Sequence, residues 1–347
     1  MTGEGIDGRG LYGTASGPAQ AGRKPVLVIG GPTASGKSGL ALELADRLAG
    51  TVINADSMQI YAGLPILTAA PGPADRARVP HQLYGVVPLS ERMSLARWRA
   101  MALAEVRATH AAGRLPILVG GTGLYLKAMM EGLSAIPEVP AVVRDAALAL
   151  RADIGTPALH ARLAARDPGS AARLKPGDTT RVLRAWEVLE ATGRPIGDWQ
   201  RTGGAGPPPG LAFLVLVVEP PRDRLYAACD ARFGAMLERG ALAEVRALAA
   251  LGLDPDLPAM KALGVPELLA HLRGETDMET AAAKARQHTR NYAKRQSTWF
   301  RNQLAAARRV DPGGVPDNAA LQKLYVTLLS EIDVFVSKTV DDGKGCD

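Results

Sequence analysis

Residues 26–40, VLVIGGPTASGKSGL, constrain the fold of this chain more than any other stretch. Val26 to Ile29 is a short apolar run of the kind that forms a buried strand. A glycine-rich turn follows. Beyond it the Ala/Leu/Glu segment Leu40–Ala49 reads as a helix that ends at Gly50. The turn satisfies G-x-x-x-x-G-K-[ST] at each fixed position, with Gly31, Gly36, Lys37 and Ser38. Glycines let the backbone curl until successive N–H groups point inward and cradle phosphate oxygens. The helix that starts near Lys37 directs its positive end to the same place. Lys37 adds a cation, and the Ser38 hydroxyl can take Mg²⁺. A chance match in a surface loop has no need of strand, loop and helix in that order. The motif therefore predicts an α/β, P-loop NTPase-like parallel sheet flanked by helices. It leaves open which phosphate is held and what becomes of it.

With 347 residues, 47% of them hydrophobic, the chain can build one large or two modest cores. Aromatics are only 4%, so an aromatic stacking platform is not the main route to nucleic-acid binding. The two cysteines, Cys229 and Cys346, are far apart. They exclude a Cys-based zinc site and a disulfide framework and point to a reducing, cytoplasmic compartment. No stretch is long and apolar enough to span a membrane. Residues 1–22 are rich in Gly, Ser and Ala without an apolar h-region, and are expected to be a disordered leader rather than a secretory signal.

Charge is unevenly placed. Between Thr280 and Val310 there is no Asp or Glu, yet the window holds eight cations, more than the net +6 of the whole chain. They are Lys284, Arg286, Arg290, Lys294, Arg295, Arg301, Arg308 and Arg309. A basic stripe on a near-neutral body suits a polyanionic partner, against the plainer alternative of a solvated helix face.

In chain order, Thr51–Ala55 is a second short strand with Asp56 directly after it. Ligands of open α/β sheets sit outside the carboxyl ends of the strands, so Asp56 is expected beside the phosphate loop. Residues 63–90 form a long Pro/Gly-rich connection, a kind that is usually functional. A helix over Ser94–Ala112 leads to a third strand, Leu115–Val119, and a second Gly-rich turn in which Thr122 offers a hydroxyl. Residues 133–207 contain no convincing strand and read as a helical insertion domain, broken at Pro137, Pro140, Gly155, Pro168 and Pro176 and leaving through the linker Gly203–Gly210. A strand returns at Leu214–Glu219, and helix signals then run from Arg222 to Arg309. The expected division is a P-loop core, 23–132 with 208–311, a helical insertion, 133–207, and a peripheral tail, 312–347.

Taken as residues alone, this is an α/β phosphate-binding protein with an acid and a threonine at neighbouring strand ends. A small-molecule kinase, an enzyme that expels diphosphate, and a non-catalytic RNA-binding NTPase all remain open. The motifs GPTASGKS (31–38), NADSMQIY (54–61), LVGGTGLYL (118–126), the D-x-x-R of Asp178 and Arg181, RDRLY (222–226) and KRQSTWFR (294–301) then narrow the choice. Together, from about Pro25 to about Asn302, they resemble the tRNA dimethylallyltransferase family, also called tRNA isopentenyltransferases.

The resemblance implies transfer of a dimethylallyl group from dimethylallyl diphosphate to the exocyclic N6 amine of the adenosine just 3′ of the anticodon, with Mg²⁺ as cofactor. It implies that Gly31, Pro32, Thr33, Ala34, Ser35, Gly36, Lys37 and Ser38 hold the diphosphate, with Ser38 on the metal. Thr122 and Arg222 are expected at the leaving group, and Asp56 as the base. Asp56, Ser57, Met58, Gln59 and Thr122 are expected to place the adenosine. Arg144, Thr180, Arg181, Val182, Leu183, Arg184, Lys261 and Gly264 are expected to grip the anticodon stem-loop of the tRNA. A monomer with no membrane association is expected. One departure stands out: where the family pattern is close to RGMDIGTAKP, this chain has AGLPILTAAP, with Ala70 in place of the lysine.

Overall fold

The computed structural model describes residues 22–201, 206–313 and 318–340. The expected leader, apart from Gly22, and Cys346 lie outside these residues. The chain divides into two compact units, one formed by 1–130 with 209–347 and the other by 131–208.

In the first unit the strands are β1 (Lys24–Gly30), β2 (Gly50–Asn54), β3 (His81–Gln82), β4 (Leu115–Gly120), β5 (Leu211–Val218) and β6 (Arg308–Val310). Among the described residues they form one sheet in the order β3-β2-β4-β1-β5-β6, with every neighbouring pair parallel. All the strand ends that carry loops for a ligand therefore open on one edge. Helices α1 (Lys37–Arg47), α2 (Pro73–Arg78), α3 (Leu95–Ala111) and α4 (Gly123–Glu131) connect the first strands. In the second unit lie α5 (Ala141–Arg166), α6 (Pro168–Ala171), α7 (Thr179–Thr192) and α8 (Ile196–Arg201). After β5 come α9 (Arg222–Glu238), α10 (Ala241–Ala250), a 3₁₀ turn at Pro258–Lys261, α11 (Val265–Leu272), α12 (Met278–Gln303) and α13 (Asn318–Val340).

The strands bury both faces, as parallel strands covered by crossover helices must. Val26 and Val28 of β1 face a core with Trp98, Leu126, Phe233 and Phe300. Leu27 and Ile29 face the opposite core, made with Leu40 and Leu44 of α1 and with Tyr325, Leu328, Ile332 and Phe335 of α13. The segment expected to be a peripheral tail thus closes one face of the sheet. Its apolar residues recur at Leu321, Leu324, Tyr325, Leu328, Leu329, Ile332, Phe335 and Val336, the stripe of an amphipathic helix. Two local expectations also change. Gly50 begins β2 instead of ending α1, and Ala49 takes the left-handed conformation at φ 48°. Residues 308–310 pair as the edge strand β6 and do not continue the helix.

The second unit is helical and has its own core, which includes Leu159, Leu163, Val182, Ala185 and Trp186. Gly155, at φ 79°, breaks the long α5 two residues before Pro157, so the sequence signal at that glycine corresponds to a kink.

Candidate active site

The site is built where β1, β4 and β2 end side by side. The phosphate loop follows β1. Gly36 ends it at φ 90°, a left-handed conformation that favours glycine, and no side chain caps α1 behind it. The first N–H groups of α1 are thus left for an anion. Ser35 is buried and its Oγ has no protein partner, while Ser38 is exposed. Lys37 Nζ donates to the Pro32 carbonyl at 3.3 Å. Desolvation by burial pulls the Lys37 ammonium down to about 8, with the Asp56 carboxylate acting against the shift.

Asp56 is positioned by Asn54, a fully buried residue at the end of β2 that sequence reasoning did not single out. Asn54 Oδ1 accepts the Asp56 N–H at 2.8 Å, and its Nδ2 donates to the carbonyls of Asp56 and Leu83 at 3.1 and 2.9 Å. The Asn54 carbonyl accepts the Trp98 indole N–H at 3.0 Å. One carboxylate oxygen of Asp56, Oδ1, is used by the Met58 N–H at 2.9 Å.

The turn after β4 lies between these two. Thr122 Oγ1 accepts from the Ser57 N–H at 2.9 Å and donates to Ser57 Oγ at 3.1 Å. Tyr292 also lines the cleft here, and burial pushes its phenol well above its usual range. Gly121 is the crowded point. A methyl group there would sit 3.4 Å from both Asp56 Oδ2 and the Gly31 carbonyl and would overlap the Gln296 amide. Acid and phosphate loop therefore both lie within van der Waals reach of a Cβ at Gly121, in the threonine turn.

Gln296, from KRQSTWFR, holds them in that register. Its Oε1 accepts the Thr33 N–H and its Nε2 donates to the Gly121 carbonyl, each at 2.8 Å. It is buried and satisfied at both ends. Only its amide, on a buried helix face otherwise made of alanines, Thr289 and Phe300, hinted at this in the sequence.

A cleft of about 300 Å³ opens over the site. Thr33, Asp56, Ser57, Arg232, Tyr292 and Arg295 give its polar wall, and Met58, Leu67, Phe233 and Met236 its apolar one. Arg232 donates to Thr33 Oγ1, and burial lowers its guanidinium from the ordinary value. Arg222 does not share this position. It is exposed at the start of α9, with its guanidinium 5.0 Å from the centre of the Tyr226 ring. The arginine that meets the phosphate loop is Arg232.

Other expected contacts divide by burial. Arg144, Thr180 and Arg181 are exposed, whereas Val182 is fully buried and Leu183 packs beside it in the core of the helical unit. Arg184 pairs with Glu187 at 3.5 Å. Gln59 turns inward, where its Nε2 donates to the carbonyls of Thr68 and Ala69 at 2.9 Å and pins the long connection. Lys261 is exposed, pairs with Asp256 at 2.8 Å and lines the cleft. Gly264 is buried at φ 89° against Phe233 and Leu67, which suits a packing role at the start of α11. The basic stripe is also divided. Arg290 pairs with Asp230, Arg301 and Arg309 with Glu219, and Arg308 with Glu331. Lys284, Lys294 and Arg295 are its exposed remainder.

Fold and site together define an α/β protein of the phosphate-loop class with an acid set against the loop. A family profile described as IPP transferase matches residues 59–303. The tRNA dimethylallyltransferase of Rhodospirillum centenum is 70% identical over 309 residues, 89% of this chain and 98% of that protein. That of Paramagnetospirillum magneticum is 57% identical, over 82% of this chain and 90% of its own length. Among solved structures, a tRNA isopentenylpyrophosphate transferase from Bacillus halodurans is similar at TM-score 0.63 and 33% identity, covering 90% of this chain and 97% of that one. A eukaryotic dimethylallyltransferase acting on tRNA is similar at TM-score 0.78 and 26% identity, covering 92% and 81%. The chain belongs to the IPP transferase family.

Proposed function

We propose that this protein transfers the dimethylallyl group of dimethylallyl diphosphate to N6 of the adenosine 3′-adjacent to the anticodon in tRNA, and that it does so in the cytoplasm. The observation that carries the reading is the convergence of Asp56, the phosphate loop and the Thr122 turn around Gly121, under a cleft with one polar and one apolar wall. In the reaction the N6–C1 bond forms as the C1–O bond to diphosphate breaks. The N6 proton passes to Asp56 Oδ2, the carboxylate oxygen not engaged by Met58. An aromatic amine is a weak nucleophile, so a base within hydrogen-bond reach lowers the barrier. The departing diphosphate is met by the free N–H groups of the loop, by Lys37 and by Arg232. The apolar wall excludes water from the prenyl carbon. To reach the cleft, the adenosine leaves the anticodon stack.

Mg²⁺ fits the same place. The exposed Ser38 hydroxyl stands in the first turn of α1, and the orphaned Ser35 Oγ lies in the loop behind it. Bound there, the ion would neutralise charge developing on the leaving diphosphate.

Exposed Arg144 and Arg181 of the helical unit, and Lys261, Lys294 and Arg295 of the core, suit contacts to the RNA backbone. Incubation with labelled dimethylallyl diphosphate and bulk unmodified tRNA tests the proposal. Label in the RNA is expected; turnover of ATP without RNA labelling would make the protein a kinase instead.

Two further outcomes follow. Replacing Arg232 by Ala removes a charge-assisted contact at the loop, typically about 1.5–3 kcal/mol, so turnover should drop roughly 10- to 150-fold. Arg222→Ala should stay within about threefold. The reverse ranking in parallel kinetics would return the role to Arg222. Binding of tRNA should also weaken steeply with salt. Changing Lys294 and Arg295 together to Gln should flatten the log–log slope by roughly 1 to 2. An unchanged slope in filter binding would reduce these residues to a solvated surface.

A further inference from the structure

The apolar wall of the Asp56 cleft is fastened from outside the site. Leu67 and Phe233, 6% and 3% exposed, meet in that wall against the backbone of Gly264. A methyl group on this glycine would stand 3.0 Å from Leu67 Cδ2 and 2.9 Å from Phe233 Cε2. Main chain therefore lies directly behind both side chains. The turn that carries Leu67 is held at two points. Glu244 of α10 accepts the Ile66 N–H through Oε1 at 2.8 Å and the Leu67 N–H through Oε2 at 2.9 Å. Gln59 Nε2 donates to the Thr68 and Ala69 carbonyls, each at 2.9 Å. We propose that this wall limits the transferred prenyl group to five carbons, with Leu67 and Phe233 as its end stop and Glu244 as the positioning residue that keeps the stop closed. The inference rests on the reading given above and names what sets the chain length of that donor.

Longer allylic diphosphates react through the same bond changes. The C1–O bond breaks, the N6–C1 bond forms and diphosphate leaves, whatever the length of the tail. Chemistry at C1 therefore does not tell them apart, and room for the tail does. The cleft, at about 300 Å³, is at the small end of ligand cavities and has to admit the target base as well. A ten-carbon chain brings five more carbons against side chains that are already packed on main chain. A close-packed wall takes extra carbons only by moving side chains or backbone out of their preferred positions.

Whether the wall can yield depends on the turn, and Glu244 decides that. It stands in the first turn of α10, where the helix dipole favours an anion. Its two oxygens are nevertheless given to Ile66 and Leu67, which lie 178 and 177 residues away in sequence. A carboxylate that accepts two successive N–H groups holds them more firmly than a neutral acceptor does. Glu244 does not line the cleft, so it acts on the donor only through Leu67. On the far side of the same turn the Thr68 hydroxyl donates to the Leu64 carbonyl at 2.7 Å, which stiffens the turn from within.

The test compares dimethylallyl diphosphate with geranyl diphosphate as donors to unmodified tRNA, reading kcat/KM for each. The parent protein should favour the five-carbon donor by at least about 100-fold, since a single methylene in an apolar pocket already discriminates by about 10- to 200-fold. Leu67→Ala takes three carbons from the stop and should cut that ratio by about tenfold or more. Glu244→Gln keeps the size of the side chain but sets an NH₂ group against a backbone N–H. One bond of the clamp is lost, and the ratio should fall by about three- to tenfold. A purely structural Glu244 would slow both donors alike and leave the ratio where it was, which overturns its assignment. Equal use of the two donors by the parent overturns the proposal whatever the variants do, and so does an unchanged ratio in Leu67→Ala. Should Leu67→Ala fail to melt cooperatively, Leu67→Val, one carbon smaller than the parent residue, decides by the direction of its shift. Dimethylallyl transfer without these changes in ratio sinks this inference alone, while no transfer from either donor to any tRNA sinks the underlying reading.

Discussion

Asp56→Asn should lower prenyl transfer by roughly 10²- to 10⁴-fold, the usual contribution of a general base, with little loss of affinity for dimethylallyl diphosphate. The substitution is nearly isosteric. An Asn carbonyl still accepts the Met58 N–H in place of Oδ1, so the turn set by Asn54 has no reason to move. What disappears is the ability of Oδ2 to take a proton beside Gly121. A carboxylate next to a diphosphate contributes repulsion, so its removal does not weaken diphosphate binding. The competing role for Asp56 is a ligand of Mg²⁺, direct or through water. That role predicts weaker metal-dependent diphosphate binding and partial rescue by excess Mg²⁺. Diphosphate affinity and single-turnover rate, measured together across a Mg²⁺ titration, separate the two, and rescue by metal would overturn the assignment.

Lys37→Ala should cost about 10²- to 10³-fold in turnover, because it removes a donor aimed at developing charge on the leaving group. The pH dependence gives a sharper signature. Burial holds the Lys37 ammonium down to about 8, so it is charged below that value and neutral above it. An anion binds the charged form better. Diphosphate affinity should therefore be level below about pH 8 and decline as pH rises through it, more steeply in the parent than in Lys37→Ala. The ligand's own titration is common to both proteins and cancels in the comparison. Parallel profiles, read by isothermal titration calorimetry, would show that Lys37 does not carry this charge.

Much of the site was legible because its signals are local. A phosphate loop needs a strand, a fixed run of glycines and a helix start, all within fifteen consecutive residues, and 26–40 supply them. Asp56 was legible for the same reason: an acid directly after a buried strand lands on the ligand edge of any open parallel sheet. The combination of motifs pointed to the family, and the helical insertion showed itself through Pro and Gly breaks without strand signals.

Other features depend on distance in space between residues far apart in sequence. Gln296 ties Thr33 to Gly121 across sequence separations of 263 and 175 residues, and nothing near position 296 announces either partner. The choice of Arg232 over Arg222 is a matter of helix phase. Ten residues along α9 amount to a shift of about 15 Å and a rotation of about 80°, enough to put one guanidinium against Thr33 and leave the other over Tyr226. The last helix differs from the expectation because its apolar stripe has value only against a surface to cover, and that surface is the face of β1 and β5 that carries Leu27, Ile29, Leu214 and Leu216. The sequence by itself determined the phosphate loop, the acid and the family, since each is written in a short run whose chemistry is local. Tertiary structure alone decided that β4 lies between β1 and β2, which sets Thr122 between the acid and the loop; sheet order follows from long-range packing of buried faces, and no single segment contains it.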